Sequence, residues 1–518
     1  MTQQTDILLI LDALDQVITD PFGRHGWRRL GMLSHKNTNP EILRTIRYRL
    51  NKEVDQHGLA GFYRAIFFRH VLGIKSEIIN AGKSLEQIRP IHIDRLMSYV
   101  NFEWGDIVAE NQNSTEFIQK MEEANIPRLM EMAGTVVQQS TPPQTIRVAK
   151  TIKRIAIYTP QLFNYKHPPT KMAFEHARLL QLEGIEIRIF SCQEQSILNM
   201  REYLSNDGHL KIPPPETNFE HQITFTSPVE IVRAQEQYSL PLRAQSILQL
   251  MDLFQPDLCF FIGHQSLLLK SLYQRYPLLG LNVTSVAPCG ELDVWLSADI
   301  AAKESKPEAT SQAYYHPFRT IPKETLATIQ REELGLAADA VVLITAGARL
   351  HKEITGEWAS MMQEICVRFP QVVWLIVGAD GGIPIGLQAN KIPNIKSIPY
   401  QANLKGVYAC CDIYVNPPRL GGGFSVAEAM AEGLATLAYH ETDGGKKLGA
   451  LAARNHEDYF SELSALINDP TARESKGKQL KQIFETSINL HNSGPSLLRA
   501  ISLTHEKFKR RATPVTLS

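Results

Sequence analysis

The chain has 518 residues, 43% hydrophobic and 21% charged, an ordinary globular composition with room for two to four domains. Fifty-four basic residues balance fifty-four acidic ones, which argues against nucleic acid or an anionic surface as the general partner. No apolar run approaches the roughly twenty residues of a membrane span, and the acid-bearing start MTQQTDILLILDALDQVITD lacks the basic region of a secretory leader.

Residues 1–145 read as an all-α domain. Ile7, Leu8, Ile10, Leu11 and Leu14 make one apolar face, and the same spacing recurs over 42–50, 62–71, 91–100 and 117–132. The aromatic and cationic mixtures at 22–29 and 62–70 read as helices with snorkelling arginines. Ser140-Thr-Pro-Pro-Gln144 is the expected linker.

Residues 150–320 change pattern and read as an N-terminal Rossmann-like lobe. A strand over 154–159, a helix over 172–183 ended by Gly184, and a strand over 185–190 form one βαβ unit, with further strands expected at 258–262 and 283–286. His264 follows a buried strand directly, where a cleft is expected. An imidazole suits a base or a hydroxyl-binding role there, because its ordinary pKa lies near neutrality. Between the first strand and helix stands Tyr165-Lys-His167-Pro-Pro-Thr170. His167 and the following Lys171 enter as acceptor-side or phosphate-side candidates, and His176 reads as a plain helix residue.

Residues 321–490 repeat the alternation as a C-terminal lobe, with strands expected at 341–346, 372–377, 395–398, 413–415 and 435–439 and helices at 357–368, 404–410 and 425–433. Alternating strands and helices imply parallel sheets covered on both faces, so the fold class is α/β, two lobes with a cleft between them. Residues 491–518 form a terminal helix and tail that includes Lys507-Phe-Lys-Arg-Arg511. Six cysteines (Cys192, Cys259, Cys289, Cys366, Cys410 and Cys411) show no CxxC pairing and read as buried thiols of a reducing, cytoplasmic compartment.

The most informative stretch is 412–433, DIYVNPPRLGGGFSVAEAMAEG: a strand, a turn, a glycine loop and a small-residue helix. Gly421, Gly422 and Gly423 let the backbone approach whatever lies above, and Ser425 is the expected N-cap. Free amides and the helix dipole suit a phosphate, Arg419 stands beside the mouth, and Glu428, a turn inside, can accept from a ribose diol. The pattern is neither a Walker loop nor GxGxxG. A second loop, Gly347-Ala-Arg349-Leu-His-Lys352, follows an expected strand, so its two cations and the glycine loop should converge on one pyrophosphate.

On these motifs, residues from about 315 to 450 resemble the C-terminal domain of GT-B glycosyltransferases of the group-1, family-four-like pattern. The matching pieces are the Arg349…Lys352 loop, Val377-Gly378, DIYVNPP, the glycine loop and Glu428-Ala-Met-Ala-Glu-Gly433. The resemblance implies that Arg349, Lys352, Gly421, Gly422, Gly423, Phe424 and Ser425 hold a diphosphate and that Glu428 holds the ribose. It also implies that Ile398, Tyr400 and Leu404 border the nucleobase. Leu420 stands where the family has a second glutamate, which leaves the stereochemical outcome open, and Asp443 reads as a turn residue. The His167-Pro loop and the helical region ahead of the lobes are similar to the O-GlcNAc-transferase-like and bacterial protein glucosyltransferase branch.

The expected activity is sugar transfer from a UDP-sugar, used as co-substrate without a cofactor, to a hydroxyl or amide of a glycan, lipid-linked glycan or protein. His264 and His167 are the catalytic candidates. No DxD-type acidic pair stands at a strand end, so no metal is expected. Nucleic acid is not an expected partner, a basic tail allows peripheral membrane association, and the oligomeric state is left open. Two alternatives stand beside this reading: a catalytically silent GT-B-shaped partner of another transferase, and a nucleotide-sugar epimerase.

Overall fold

The computed structural model describes residues 3–512, apart from 36–38, 75, 86–92, 111–112, 142–146, 165–166, 198–225, 285, 298–309, 317–318, 323–327, 379–382, 385–386 and 388–391. Most of the expected linker, and Tyr165 and Lys166 of the His-Pro loop, lie outside the described residues.

Two wholly parallel sheets carry the fold. The first contains β1 (Arg154–Tyr158), β2 (Glu186–Ser191), β3 (Glu230–Arg233), β4 (Leu258–Ile262), β5 (Leu278–Leu281), β6 (Val294–Ser297) and β7 (Ser311–Tyr314), ordered β3-β2-β1-β4-β5-β6-β7. The second contains β8 (Val341–Ala346), β9 (Val372–Val377), β10 (Ile395–Ile398), β11 (Ile413–Val415) and β12 (Ala435–Leu437), ordered β10-β9-β8-β11-β12. LCFFI of β4 and VVLITA of β8 are buried along their whole length, as parallel strands covered on both faces must be. The strand expected at 283–286 is instead β5, five residues earlier. Asn282 turns the chain there, its side-chain carbonyl accepting the Val283 N–H at 2.6 Å. The last strand stops at Leu437 rather than 439, and Tyr439 keeps only an isolated bridge to Ala453.

Up to Ser140 the described elements are helices, and their core is not separate. Trp27, Phe62, Phe67 and Tyr99 belong to one apolar cluster with Tyr158, Phe190 and Phe261 of the first sheet. Burying a large apolar side chain stabilises by about 1.5–3 kcal/mol, so this shared core binds the helical layer to the first lobe. Polar contacts fix its register. Asp94 Oδ1 accepts the Leu240 N–H at 2.9 Å, capping helix Leu240–Phe254 from outside, and Lys270 Nζ donates to Thr135 Oγ1 at 2.9 Å.

The chain crosses between lobes twice, and the crossings pair with each other. Thr320 N donates to Ile488 O at 3.1 Å, and Leu490 N donates to Thr320 O at 3.0 Å. Helix Gly494–Ala512 then returns to the first sheet, burying Leu497, Ala500 and Ile501 in its core. Arg511, read from sequence as part of a basic tail, forks onto Asp293 at 2.7 and 2.9 Å and stacks over Tyr273. All six cysteines are free thiols, and no described helix is long and apolar enough to cross a membrane.

Candidate functional site

In each sheet the strand order reverses beside the first strand, between β1 and β4 and between β8 and β11. Ligands of open parallel sheets bind at the carboxyl ends of the strands at that point. At the second switch point the two expected loops do meet. Arg349, which opens the short helix Leu350–Glu353, donates from Nη2 to Leu420 O at 2.9 Å and pairs with Glu353 at 2.9 Å. Lys352 lies exposed on the same short helix, its ammonium without a hydrogen bond or ion pair among the described residues.

Arg419 is not beside the mouth but beneath it. Its guanidinium is buried, paired with Glu353 Oε2 at 2.6 Å, and donates to Ala346 O at 3.0 Å and Asn416 Oδ1 at 2.8 Å. Burial opposes its charge, but the Glu353 carboxylate overrides this and holds its pKa above the ordinary arginine value. Burial likewise acts against the Glu353 charge, and the two arginines outweigh it. An Arg349–Glu353–Arg419 triad therefore ties the β8 loop to the β11 loop. The glycines fit this triad. Gly421 and Gly422 take φ of 94° and 69°, and a Cβ would come within 2.8 Å of Arg349 Nη2 at Gly421 and within 2.5 Å of the Arg419 guanidinium at Gly422.

The helix starts earlier than expected. It spans Gly423–Ala431 with left-handed Gly422 at the N-cap, so Ser425 lies inside the first turn, donating from Oγ to Gly422 O at 2.8 Å and accepting from Tyr414 OH at 2.8 Å. Asp443 is more than a turn residue. Fully buried, it accepts the Gly421 N–H at 2.7 Å and fixes the glycine loop. Leu420, at the position of the family's glutamate, is buried in the core shared by the helical layer and the first lobe.

Phe424 and Glu428 face the other lobe. Lys171 Nζ, from helix Pro168–Leu182, lies 3.6 Å from Glu428 Oε1, 3.9 Å from Glu175 Oε1 and 4.5 Å above the Phe424 ring. Burial disfavours that ammonium, but Glu175 and Glu428 outweigh it and raise its pKa. A crevice runs on from Glu428 between Thr320 and Pro322 on one side and Lys405 and Tyr408 on the other. Of the expected nucleobase neighbours, Ile398 and Leu404 pack against the second lobe's core, and Tyr400 is exposed.

At the first switch point the helical layer closes over His264. Phe117 packs edge-on at 5.3 Å and Trp104 stacks at 6.5 Å. Asn282 fixes the tautomer: its amide donates to Val286 O at 2.6 Å, its carbonyl accepts from Val283, and the remaining N–H meets His264 Nδ1 at 2.8 Å. Nε2 then carries the proton. Burial lowers the pKa to about 4 and favours the neutral ring, which leaves Nε2–H as a donor, in keeping with the hydroxyl-binding one of the two roles expected from sequence. His167 lies at the N-cap of its helix, half-buried, with Nδ1 2.9 Å from Thr170 Oγ1, and burial lowers its pKa to about 3. His176 is packed, its Nε2 2.8 Å from Tyr315 OH.

Sequence reasoning missed Trp104, Phe117 and one buried acid. Glu194, after β2, accepts from Tyr158 OH at 2.5 Å, from the Ser266 hydroxyl and from Leu267 N at 3.1 Å, and burial raises its pKa to about 7. No spacing signal in the sequence joins these residues.

No protein-family model matches the chain, and no curated protein matches it by sequence. Solved structures do overlap it. An O-GlcNAc transferase variant from Thermobaculum terrenum superposes with a TM-score of 0.55 at 12% identity, over 99% of this chain and 100% of that one. A glycosyltransferase from Rickettsia africae (TM-score 0.46, 10% identity, 69% and 99% covered) and a Listeria monocytogenes protein assigned as a UDP-N-acetylglucosamine 2-epimerase (0.43, 12%, 69% and 97%) overlap more loosely. The chain has the GT-B fold, two facing Rossmann-like lobes with a helical layer packed on the first.

Proposed function

We propose that the protein is a glycosyltransferase that uses a nucleotide-sugar, with UDP-sugars the leading donors. The observation that carries this reading is the meeting of the Arg349 loop with the Gly421–Gly423 loop at a strand-order switch point, with Glu428 one turn inside the helix that follows. A diphosphate at that junction meets Arg349, Lys352 and the amide-rich start of helix Gly423–Ala431. Positive groups fixed in advance there stabilise charge as it builds on the leaving phosphate. The neutralising charge comes from side chains and backbone, so the reaction proposed needs no metal or cofactor. Glu428 takes the ribose diol. His167 and the Nε2–H of His264 lie on the acceptor lobe, the latter as a donor to a sugar or acceptor hydroxyl. The acceptor is a hydroxyl or amide of a glycan, lipid-linked glycan or protein, and six free thiols agree with a cytoplasmic site of action.

The silent-partner reading has one observation of its own. Leu420 stands in apolar core where the family places a sugar-facing carboxylate. Thermal unfolding with UDP, GDP and TDP, followed by hydrolysis assays on the corresponding sugars, separates the readings. Stabilisation with slow donor hydrolysis, both lost in R349A, supports the enzyme. Stabilisation without hydrolysis supports the partner. No shift with any nucleotide sinks the enzyme reading and leaves the silent partner standing.

A further inference from the structure

Lys171, from the first lobe, reaches the carboxylate assigned to the ribose and holds it loosely. At 3.6 Å from Glu428 and 3.9 Å from Glu175, neither contact has the length of a good hydrogen bond, so the ammonium floats between two acids over the Phe424 face. Phe424 and Glu428 are four residues apart on one helix face, and the first turn of that helix begins at Gly423. Along the axis the ammonium is thus about 6 Å from the amides that attract an anion. A lysine stem can span that distance by changing rotamers. A phosphate offers the ammonium full charge-assisted hydrogen bonds, which the present pair does not supply.

Resting on the donor reading above, we propose that Lys171 couples the two halves of the nucleotide: the diphosphate draws its ammonium off Glu428, and the carboxylate so released takes the ribose diol. Lys171 is then a positioning residue that makes the site selective for nucleoside diphosphates over nucleosides. A nucleoside alone must compete with the ammonium for Glu428, whereas a diphosphate removes the competitor.

The test is calorimetric titration of the full chain with uridine and UDP, guanosine and GDP, and thymidine and TDP, using the pair the wild type prefers. In K171M the nucleoside should bind about 3- to 10-fold more tightly and the diphosphate more weakly, so the preference for diphosphate falls by about 10-fold or more. K171Q must give the same drop, and it serves alone if the methionine variant does not fold. K171R, which keeps the charge, should stay within about 3-fold of the wild-type preference. Equal weakening of nucleoside and diphosphate in K171M or K171Q, or an unchanged preference, overturns the coupling and leaves the donor reading standing. If the wild type binds no diphosphate at all, the donor reading itself falls, and the coupling with it.

Discussion

The two switch points share a topology and differ in what fills them. At β1/β4 the opening is covered by another layer of the protein: Trp104 and Phe117 close over His264, and below them Glu194 is held by Tyr158 and Ser266. At β8/β11 the filling is cationic and local, with Arg419 beneath the glycine loop and Arg349 at its rim. The crevice that keeps its positive charge near the surface is the one suited to an anion. The crevice capped by aromatic rings disfavours charge on its ionisable groups: burial brings His264 down to about 4 and pushes Glu194 up to about 7. The same strand order around each switch point thus gives two electrostatic environments, and the surrounding elements decide which is which.

The contrast breaks most readily at Arg419. In R419M the Glu353 carboxylate loses its closest buried partner, and a loss of about 3–5 kcal/mol is expected in denaturant unfolding. A change under about 1 kcal/mol would mean that the triad does not join the two loops. The first crevice is probed by Glu194. Its carboxyl has an ordinary value of 4.5 and a folded value of about 7, so the folded state holds the proton more tightly. That stabilisation is complete below the unfolded value and is lost as pH rises through the folded one. In E194Q it cannot be lost, so the stability difference between E194Q and wild type should move in the variant's favour by about 3 kcal/mol from pH ~4 to pH ~8. A flat difference would show that this acid is not held neutral.

Smaller effects sharpen the picture. G422A adds a Cβ at a positive φ against the Arg419 guanidinium and should cost about 2 kcal/mol, read as a lowered unfolding midpoint. W104A opens the lid over His264, and the imidazole pKa should rise from about 4 toward its ordinary 6.5, followed by NMR titration. R349A should be the mildest for stability, at most about 1 kcal/mol, since its ion pair is part-exposed. Its expected signature is the loss of nucleotide-induced stabilisation.

The strands were the most legible part of this molecule. β4, β8, β9 and β11 lie where their apolar runs place them, because a strand buried on both faces has no polar register to hide it, and β10, a half-buried edge strand, also lies at its expected position. β5 was misplaced because Pro277 and Gly280 make LLGL read as a loop and VTSV as a strand. The meeting of the Arg349 and glycine loops followed from both loops leaving the carboxyl ends of expected parallel strands. The partners did not. Nothing in a single sequence says that Arg419 turns inward to Glu353, that Lys171 meets Glu428 across the cleft, or that Trp104 roofs His264, since each pair is joined only by the packing of distant elements. The Ser425 cap failed for a local reason: a left-handed glycine had already started the helix.

The return of helix Gly494–Ala512 to the first sheet has a consequence for how the protein is made. During synthesis the first lobe emerges with Asp293 and the flank of its sheet uncovered, and it waits while the whole second lobe is translated before Arg511 arrives. The early-made half is therefore the later to be finished, and an exposed apolar flank persists for the interval in which nascent chains are most prone to associate.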